Sequence, residues 1–302
     1  MNKILIKIVR GFLVLLSKLP LWFHYFMCGI FAWFAEKVIR YRYDVVLTNI
    51  SRSFPDKKYK EISGIVHDFY KHFGEILAEA IWFSGSNYKK LYDSGIVTVT
   101  NPEELNEIFL STPSMTILST HSGNWELLGG LLGYRTRSGA RISIKEEDIR
   151  VAYKKLSNPV FDEVFKQNRV APLEVVGTSC EIESSNILRH VVSSRGQRLL
   201  YIYPTDQAPY WNAAKHPIGK FLHQETNCML GSVGAACKLS HSVMYMKMQR
   251  IERGKYEMTL IPICRDASQS TPEELMRKYY DLLEEDINET PANWLWTHKR
   301  WK

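Results

Sequence analysis

The chain has 302 residues, 45% of them hydrophobic and 24% charged. That composition excludes a disordered or collagen-like chain and a polytopic membrane protein, and leaves material for one large domain or two modest ones. Lys plus Arg outnumber Asp plus Glu by 39 to 32, and the net charge of +7 suits an anionic partner such as a membrane surface, a phosphorylated substrate or an acidic carrier protein.

Before any folded element is considered, two further classes lose support. No zinc-finger, helix-turn-helix or RNP-type pattern marks a nucleic-acid binder, so no nucleic acid is expected as a partner. The five cysteines (Cys28, Cys180, Cys228, Cys237, Cys264) are odd in number and never spaced as CxxC, which argues against a disulfide framework or a zinc site and for a reducing, cytosol-facing location.

Gly11 to Ala35 reads GFLVLLSKLPLWFHYFMCGIFAWFA, an apolar stretch interrupted by Lys18 and Pro20. A bilayer span needs about 20 such residues. The stretch predicts a retained hydrophobic helical membrane anchor over residues 1–42: either one tilted span, or two helices around Pro20 lying in the interface with Trp22, Tyr25 and Trp33 at headgroup depth. No A-x-A-like cleavage site follows it, which argues against a signal peptide. Residues 43–302 contain no repeat or linker and read as one domain.

Within that domain, apolar residues at Ile62, Ile65, Val66, Phe69, Phe73, Ile76, Leu77 and Ala80 follow a helical period, predicting an amphipathic helix over 59–83. Short β-rich runs then alternate with helical ones. GIVTVT (95–100) is followed by a helix with Asn101 as N-cap, Pro102 at N1 and Glu104 at N3, and MTILST (115–120) by a helix from about Asn124. Further on come ARISI (140–144), a helix around 148–168, another near 180–194, and RLLYIY (198–203). SVMYMKMQRI and KYEMTLIPI flank ERG as an antiparallel hairpin, and a helix from Pro272 to about Glu289 precedes the tail WLWTHKRWK. The fold class is therefore α/β, a mixed central sheet covered by helices.

Ser119-Thr120-His121-Ser122-Gly123-Asn124-Trp125-Glu126 sets a histidine at the end of a predicted strand and a carboxylate in the first turn of the next helix. On one continuous helix the two side chains would diverge by about 140°, whereas a strand, a tight turn and a helix can bring them face to face. A carboxylate bonded to one imidazole nitrogen fixes the tautomer while the other nitrogen accepts a proton. By itself the spacing is matched as well by a structural histidine capping a sheet edge.

STHSGNWELLGG resembles the acyltransfer motif of the bacterial lipid A biosynthesis (late or secondary) acyltransferases. YKKLSNPVFDEVFKQNR (153–169), YPTDQAP (203–209), FLHQETNCMLGSVGAACK (221–238) and EEDINETPANWLWTHKRWK (284–302) resemble later blocks of the same family, in the same order. The resemblance implies a glycerolipid-acyltransferase-like fold. It also implies transfer of a fatty acyl chain from an acyl carrier protein thioester, or from coenzyme A, to a hydroxyl of a lipid A precursor at the cytoplasmic face of the inner membrane. In that frame His121 is the general base, Glu126 its orienting partner, and Arg169 a stabiliser of the oxyanion or a phosphate ligand; Arg169 as a surface residue ending a helix is the plainer alternative. Asn124, Asp206 and Gln207 are candidate substrate-binding residues, although for Asp206 and Gln207 a polar turn after a strand accounts for the residues nearly as well. The chain departs from the family at Gly231-Ser232-Val233, where an acid is usual.

Arg150 and Lys154, also candidate substrate-binding residues, belong to a basic stretch with Arg135, Arg137, Arg141, Lys145 and Lys155, either a solvated face or a rim for a phosphorylated headgroup or an acidic carrier. Trp294, Trp296 and Trp301 of the tail suit an interfacial contact or a packed cap. His67 and His72 lack partners at metal-ligand spacing, Gly-rich phosphate loops are missing, and no cofactor or metal is expected. A thioesterase or lipase would usually carry G-x-S-x-G, which does not occur, and the histidine and its acid speak against a non-catalytic lipid-binding protein. A glycerolipid, an aminolipid or a pigment alcohol are the other acceptors the family resemblance leaves open.

Overall fold

The inner strands are buried almost without interruption, so their side chains, pointing alternately to the two faces, build an apolar layer on each side of the main sheet. In the computed structural model, residues 2–174, 180–210 and 213–301 are described. In chain order the elements are α1 (Asn2–Leu16), α2 (Leu21–Lys37), α3 (Tyr43–Ser53), α4 (Tyr59–Phe83), α5 (Tyr88–Ser94), β1 (Val97–Val99), α6 (Pro102–Ser111), β2 (Met115–Ser119), β3 (Arg135–Thr136), β4 (Ile149–Tyr153), α7 (Pro159–Arg169), β5 (Glu181–Glu183), α8 (Ile187–Ser193), β6 (Leu200–Pro204), β7 (His216–Phe221), β8 (Gln224–Cys228), α9 (Gly231–Lys238), β9 (Ser242–Glu252), β10 (Lys255–Cys264) and α10 (Pro272–Glu289). A three-residue-per-turn helix, Trp125–Gly133, links β2 to β3.

The main sheet runs β3-β1-β10-β9-β2-β6-β4-β5. Among the described residues of this sheet only β9 and β10 pair antiparallel, through the expected hairpin, and its other pairings are parallel; β7 and β8 form a separate antiparallel pair. The sheet is thus mixed, and helices cover it. Ile117, Leu200, Ile202, Met244 and Met246 turn one way, onto Phe83, Leu105 and Ile108. Leu118, Tyr201, Tyr203, Val243 and Tyr245 turn the other way, onto Val66, Phe69, Tyr279 and Leu283. Each aliphatic side chain enclosed this way contributes roughly 1.5–3 kcal/mol.

The expected helices at 59–83 and from Pro272 are present, and the strand readings at 95–100, 115–120 and 198–203 become β1, β2 and β6. Other readings are corrected. Residues 148–168 hold β4 before α7 begins, because Pro159 starts the helix at its favoured first position with Asn158 capping the amides of Val160 and Phe161. ARISI forms no strand; Asn106 instead ties its backbone at Arg141 and Ser143. In the stretch from 180 to 194 a short strand, β5, precedes α8. The side chain of Asn101 does not cap α6; it bridges to β10 through Leu260.

Of the two anchor readings, the single tilted span is corrected. Pro20 is extended and disfavours helix at the residue before it, so the apolar stretch breaks into a 15-residue α1 and a 17-residue α2. Among the described residues no helix is long and apolar enough to cross a membrane. His24, Cys28, Ala32 and Ala35 of α2 are buried. At the α2–α4 crossing a Cβ on Gly74 would stand 2.8 Å from Cβ of Ala32, so glycine permits the close approach.

Candidate active site

β2 and β6 are parallel neighbours in the register Ser119↔Pro204. Two residues beyond that pair, His121 and Asp206 leave the carboxyl ends of their strands side by side, where open α/β sheets place their ligand sites. Asp206 Oδ1 lies 2.7 Å from Nδ1 of His121, and Oδ2 accepts from the His121 backbone N–H at 2.8 Å. Trp294 Nε1 donates to the same Oδ2 at 2.8 Å. Burial pushes the Asp206 carboxyl up, but the adjacent His121 and these hydrogen bonds prevail and hold it down to about 2. The carboxylate that meets the imidazole is therefore Asp206, not Glu126.

Glu126 has a different partner. Arg169, in the last turn of α7, grips it with two bonds, Nε to Oε2 at 3.0 Å and Nη2 to Oε1 at 2.9 Å. Against the opposing effect of burial, the Arg169 charge keeps Glu126 below the usual carboxylate range. The two segments touch closely: a Cβ on Gly129 would lie 1.7 Å from the carbonyl oxygen of Arg169. Arg169 is thus neither a loose surface residue nor an unpaired cation.

The turn between His121 and Glu126 is held from behind by α4. Gly123 has φ +61°, and a Cβ there would meet the Met248 carbonyl at 2.3 Å, so the position requires glycine. His72 Nε2 lies 3.1 Å from the Gly123 carbonyl oxygen. Asn124 is fully buried; it accepts from the Glu126 backbone N–H and donates to Glu79 Oε2 at 2.7 Å. Tyr25 of α2 donates to the other Glu79 oxygen at 2.8 Å. Burial pushes the Glu79 carboxyl up; Asn124 joins this enclosed group to the His121–Glu126 turn and does not line the cavity beside His121. Sequence reasoning passed over Glu79 and weighed His72 only as a metal ligand. The signal available was their place at polar positions on the core-facing stripe of a periodic helix.

A cavity of about 780 Å³ opens beside His121, within the ~300–1,000 Å³ range of pockets that enclose whole organic ligands. Leu128, Leu132, Ile149, Val151, Leu156 and Ile202 give it an apolar wall, and His121, Gln207, Arg169 and Lys154 also line it. Gln207 Nε2 lies 2.9 Å from Nε2 and 3.3 Å from Nδ1 of His121, so it sits over the ring rather than along one lone pair. Trp125 meets the ring edge-on at 5.2 Å between centroids.

The remaining candidates separate. Lys154 lies over the Tyr210 ring at the cavity, whereas Arg150 donates to the carbonyls of Glu147 and Ile149. The expected basic rim does not assemble, because Arg135 belongs to β3 at one edge of the sheet and Arg150 to β4 near the other. Arg135 and Arg137 are engaged locally, with Tyr92 and Asp93 carbonyls and with Glu257. Trp294 and Trp296 are buried and Trp301 donates to Thr226, so these residues pack as a cap; Lys302 lies outside the described residues. Val233, where the resemblance led to the expectation of an acid, is fully buried in the apolar core, while Gly231 and Ser232 line the cavity.

No curated protein matches the chain. The model of the family described as bacterial lipid A biosynthesis acyltransferase matches residues 2–302, and the chain belongs to that family of acyl-transferring enzymes.

Proposed function

We propose that the protein moves a fatty acyl chain from an acyl carrier protein or coenzyme A thioester to a hydroxyl of a lipid A precursor. The observation that carries this reading is the His121–Asp206 pair on the wall of an apolar cavity sized for a hydrocarbon chain. Each methylene enclosed there would contribute about 0.8 kcal/mol to donor binding. With Nδ1 held by ionised Asp206, Nε2 of His121 takes the acceptor hydroxyl proton as its oxygen attacks the thioester carbonyl. Collapse of the tetrahedral intermediate breaks the C–S bond, and the imidazolium returns the proton to the departing thiolate. The Gln207 amide, lying over the imidazole, offers a donor for the oxyanion. In this reading Arg169 and Glu126 fix the cavity wall and the catalytic turn.

Membrane attachment belongs to the same proposal, with the catalytic face toward the cytoplasm at the inner membrane. Ile4, Ile8, Phe12 and Leu15 form one exposed stripe on α1, and Trp22, Phe26, Ile30 and Trp33 another on α2. Two such stripes suit helices lying in the lipid interface.

Incubating purified protein with acyl carrier protein or coenzyme A thioesters and a lipid A precursor, with product masses read by mass spectrometry, tests the reading. A gain of one acyl chain, lost in His121→Ala, is expected. Free fatty acid as the sole product would assign a thioesterase instead. Transfer only to a glycerolipid, aminolipid or pigment alcohol offered alongside would reassign the acceptor.

A further inference from the structure

A second imidazole faces the first. The rings of His121 and His298 lie 6.1 Å apart between centroids, with planes inclined by 30°. His298 arrives there on a firmly held tail. The Leu295 N–H donates to the His121 carbonyl at 3.1 Å, and Ser122 pairs with Trp294 in an antiparallel bridge. Asn49 of α3 donates to the carbonyls of Trp296 and His298 at 3.0 and 2.8 Å, and Arg42 donates to the Thr297 carbonyl at 2.8 Å. The His298 ring is partly open to solvent and is not among the residues lining the apolar cavity. His121 therefore has the cavity at one side and His298 at another, flanked by exposed Arg42 and Lys299.

Burial pushes the His298 imidazole down to about 4; Asp206 opposes this, and His121, Arg300 and Arg42 reinforce it. At neutral pH it keeps one N–H donor and one acceptor nitrogen, and it adds no charge beside the ring that must take a proton. A single oxygen hydrogen-bonded to both rings makes two contacts of ~2.8 Å that meet at a bent angle, so the bonded nitrogens stand ~4–5.5 Å apart, a gap that rings with centroids 6.1 Å apart can offer.

We propose that His298 is an acceptor-binding residue: it donates a hydrogen bond to the incoming hydroxyl oxygen and so aims that hydroxyl's proton at His121. The proposal rests on the acyl-transfer reading and goes beyond it by fixing the side from which the acceptor approaches. Water, small and abundant, reaches His121 without that contact, so hydrolysis of the donor serves as an internal control.

The test compares wild type, His298→Ala and His298→Asn with a long-chain acyl thioester and two acceptor probes, a phosphorylated lipid A precursor and glycerol, quantifying ester and free fatty acid. In His298→Ala the ester-to-acid ratio should fall roughly tenfold or more with any probe that wild type acylates, while hydrolysis stays within about twofold; His298→Asn, which keeps an N–H donor, should recover part of the ratio. An unchanged ratio, or transfer and hydrolysis falling in step, overturns the proposal and leaves His298 structural. A wild-type protein that consumes no thioester overturns the transfer reading and this inference with it.

Discussion

Asp206 is enclosed, ionised and held by three hydrogen bonds, two of them from His121, so its carboxylate can hold one tautomer of the ring and balance the charge the ring acquires. Asp206→Asn should preserve the shape of the site yet cut transfer by about a hundredfold or more. Loss of folding in that variant, seen by circular dichroism, would instead make Asp206 a structural residue. Arg169→Ala leaves Glu126 buried without its cation, and we expect a stability loss of about 2 kcal/mol. That is below the ~3–5 for a fully buried pair because the Arg169 side chain is 36% exposed. Replacing both, as Glu126→Gln with Arg169→Met, should restore most of it in a urea melt; equal losses in the single and double variants would deny the pairing. The His121 motif was legible in the sequence, but its partner was not. The acid five residues on was the visible candidate, whereas Asp206 stands 85 residues away and meets the ring only through the β2–β6 register.

At the level of elements, strands and helices with strong periodicity, such as α4 and the β9–β10 hairpin, could be read directly. Misreadings arose where local chemistry overrode the pattern. Pro20 splits one apolar run into α1 and α2, and Pro159 delays α7 so that β4 can join the sheet. One element boundary also carries a pH dependence. His241, just before β9, is buried, stacks on Tyr201 with rings 5.8 Å apart, and bonds Thr116 at 3.1 Å. Burial pushes its imidazole down to about 4. The unfolded chain therefore binds the proton first, near 6.5, and stability should be full above that pH and drain away as pH falls toward 4. At about 1.4 kcal/mol per pH unit, the loss is on the order of 3 kcal/mol. Denaturant melts at pH 7 and pH 4.5 measure it. His298, which burial also pushes down to about 4, adds a loss of the same sign over the same range, so His241→Gln should remove about half of the difference, and an unchanged slope in that variant would place the effect elsewhere.

Across the whole molecule, the α/β class followed from the alternation of runs. The strand order did not, because it depends on long-range parallel pairing that no local signal encodes. Nor did the sequence show how α2 would be divided between core and surface: one stripe meets α4 at Gly74, while the opposite stripe stays exposed. If those stripes lie in lipid, replacing Ile4, Ile8 and Phe12 by Asn should remove most cosedimentation with anionic phospholipid vesicles and leave the melting temperature nearly unchanged, since these side chains are already exposed. Full binding by that variant would contradict interfacial attachment.

The central claim, acyl transfer by a histidine supported from the neighbouring strand, is tested most directly by a double-mutant cycle on turnover. His121→Ala, Asp206→Asn and the combined variant are to be assayed with thioester donor and lipid acceptor at equal, verified folding. Because the two residues act as one unit, the combined variant should be little worse than His121→Ala. An active His121→Ala enzyme, or two losses that multiply, would contradict the account.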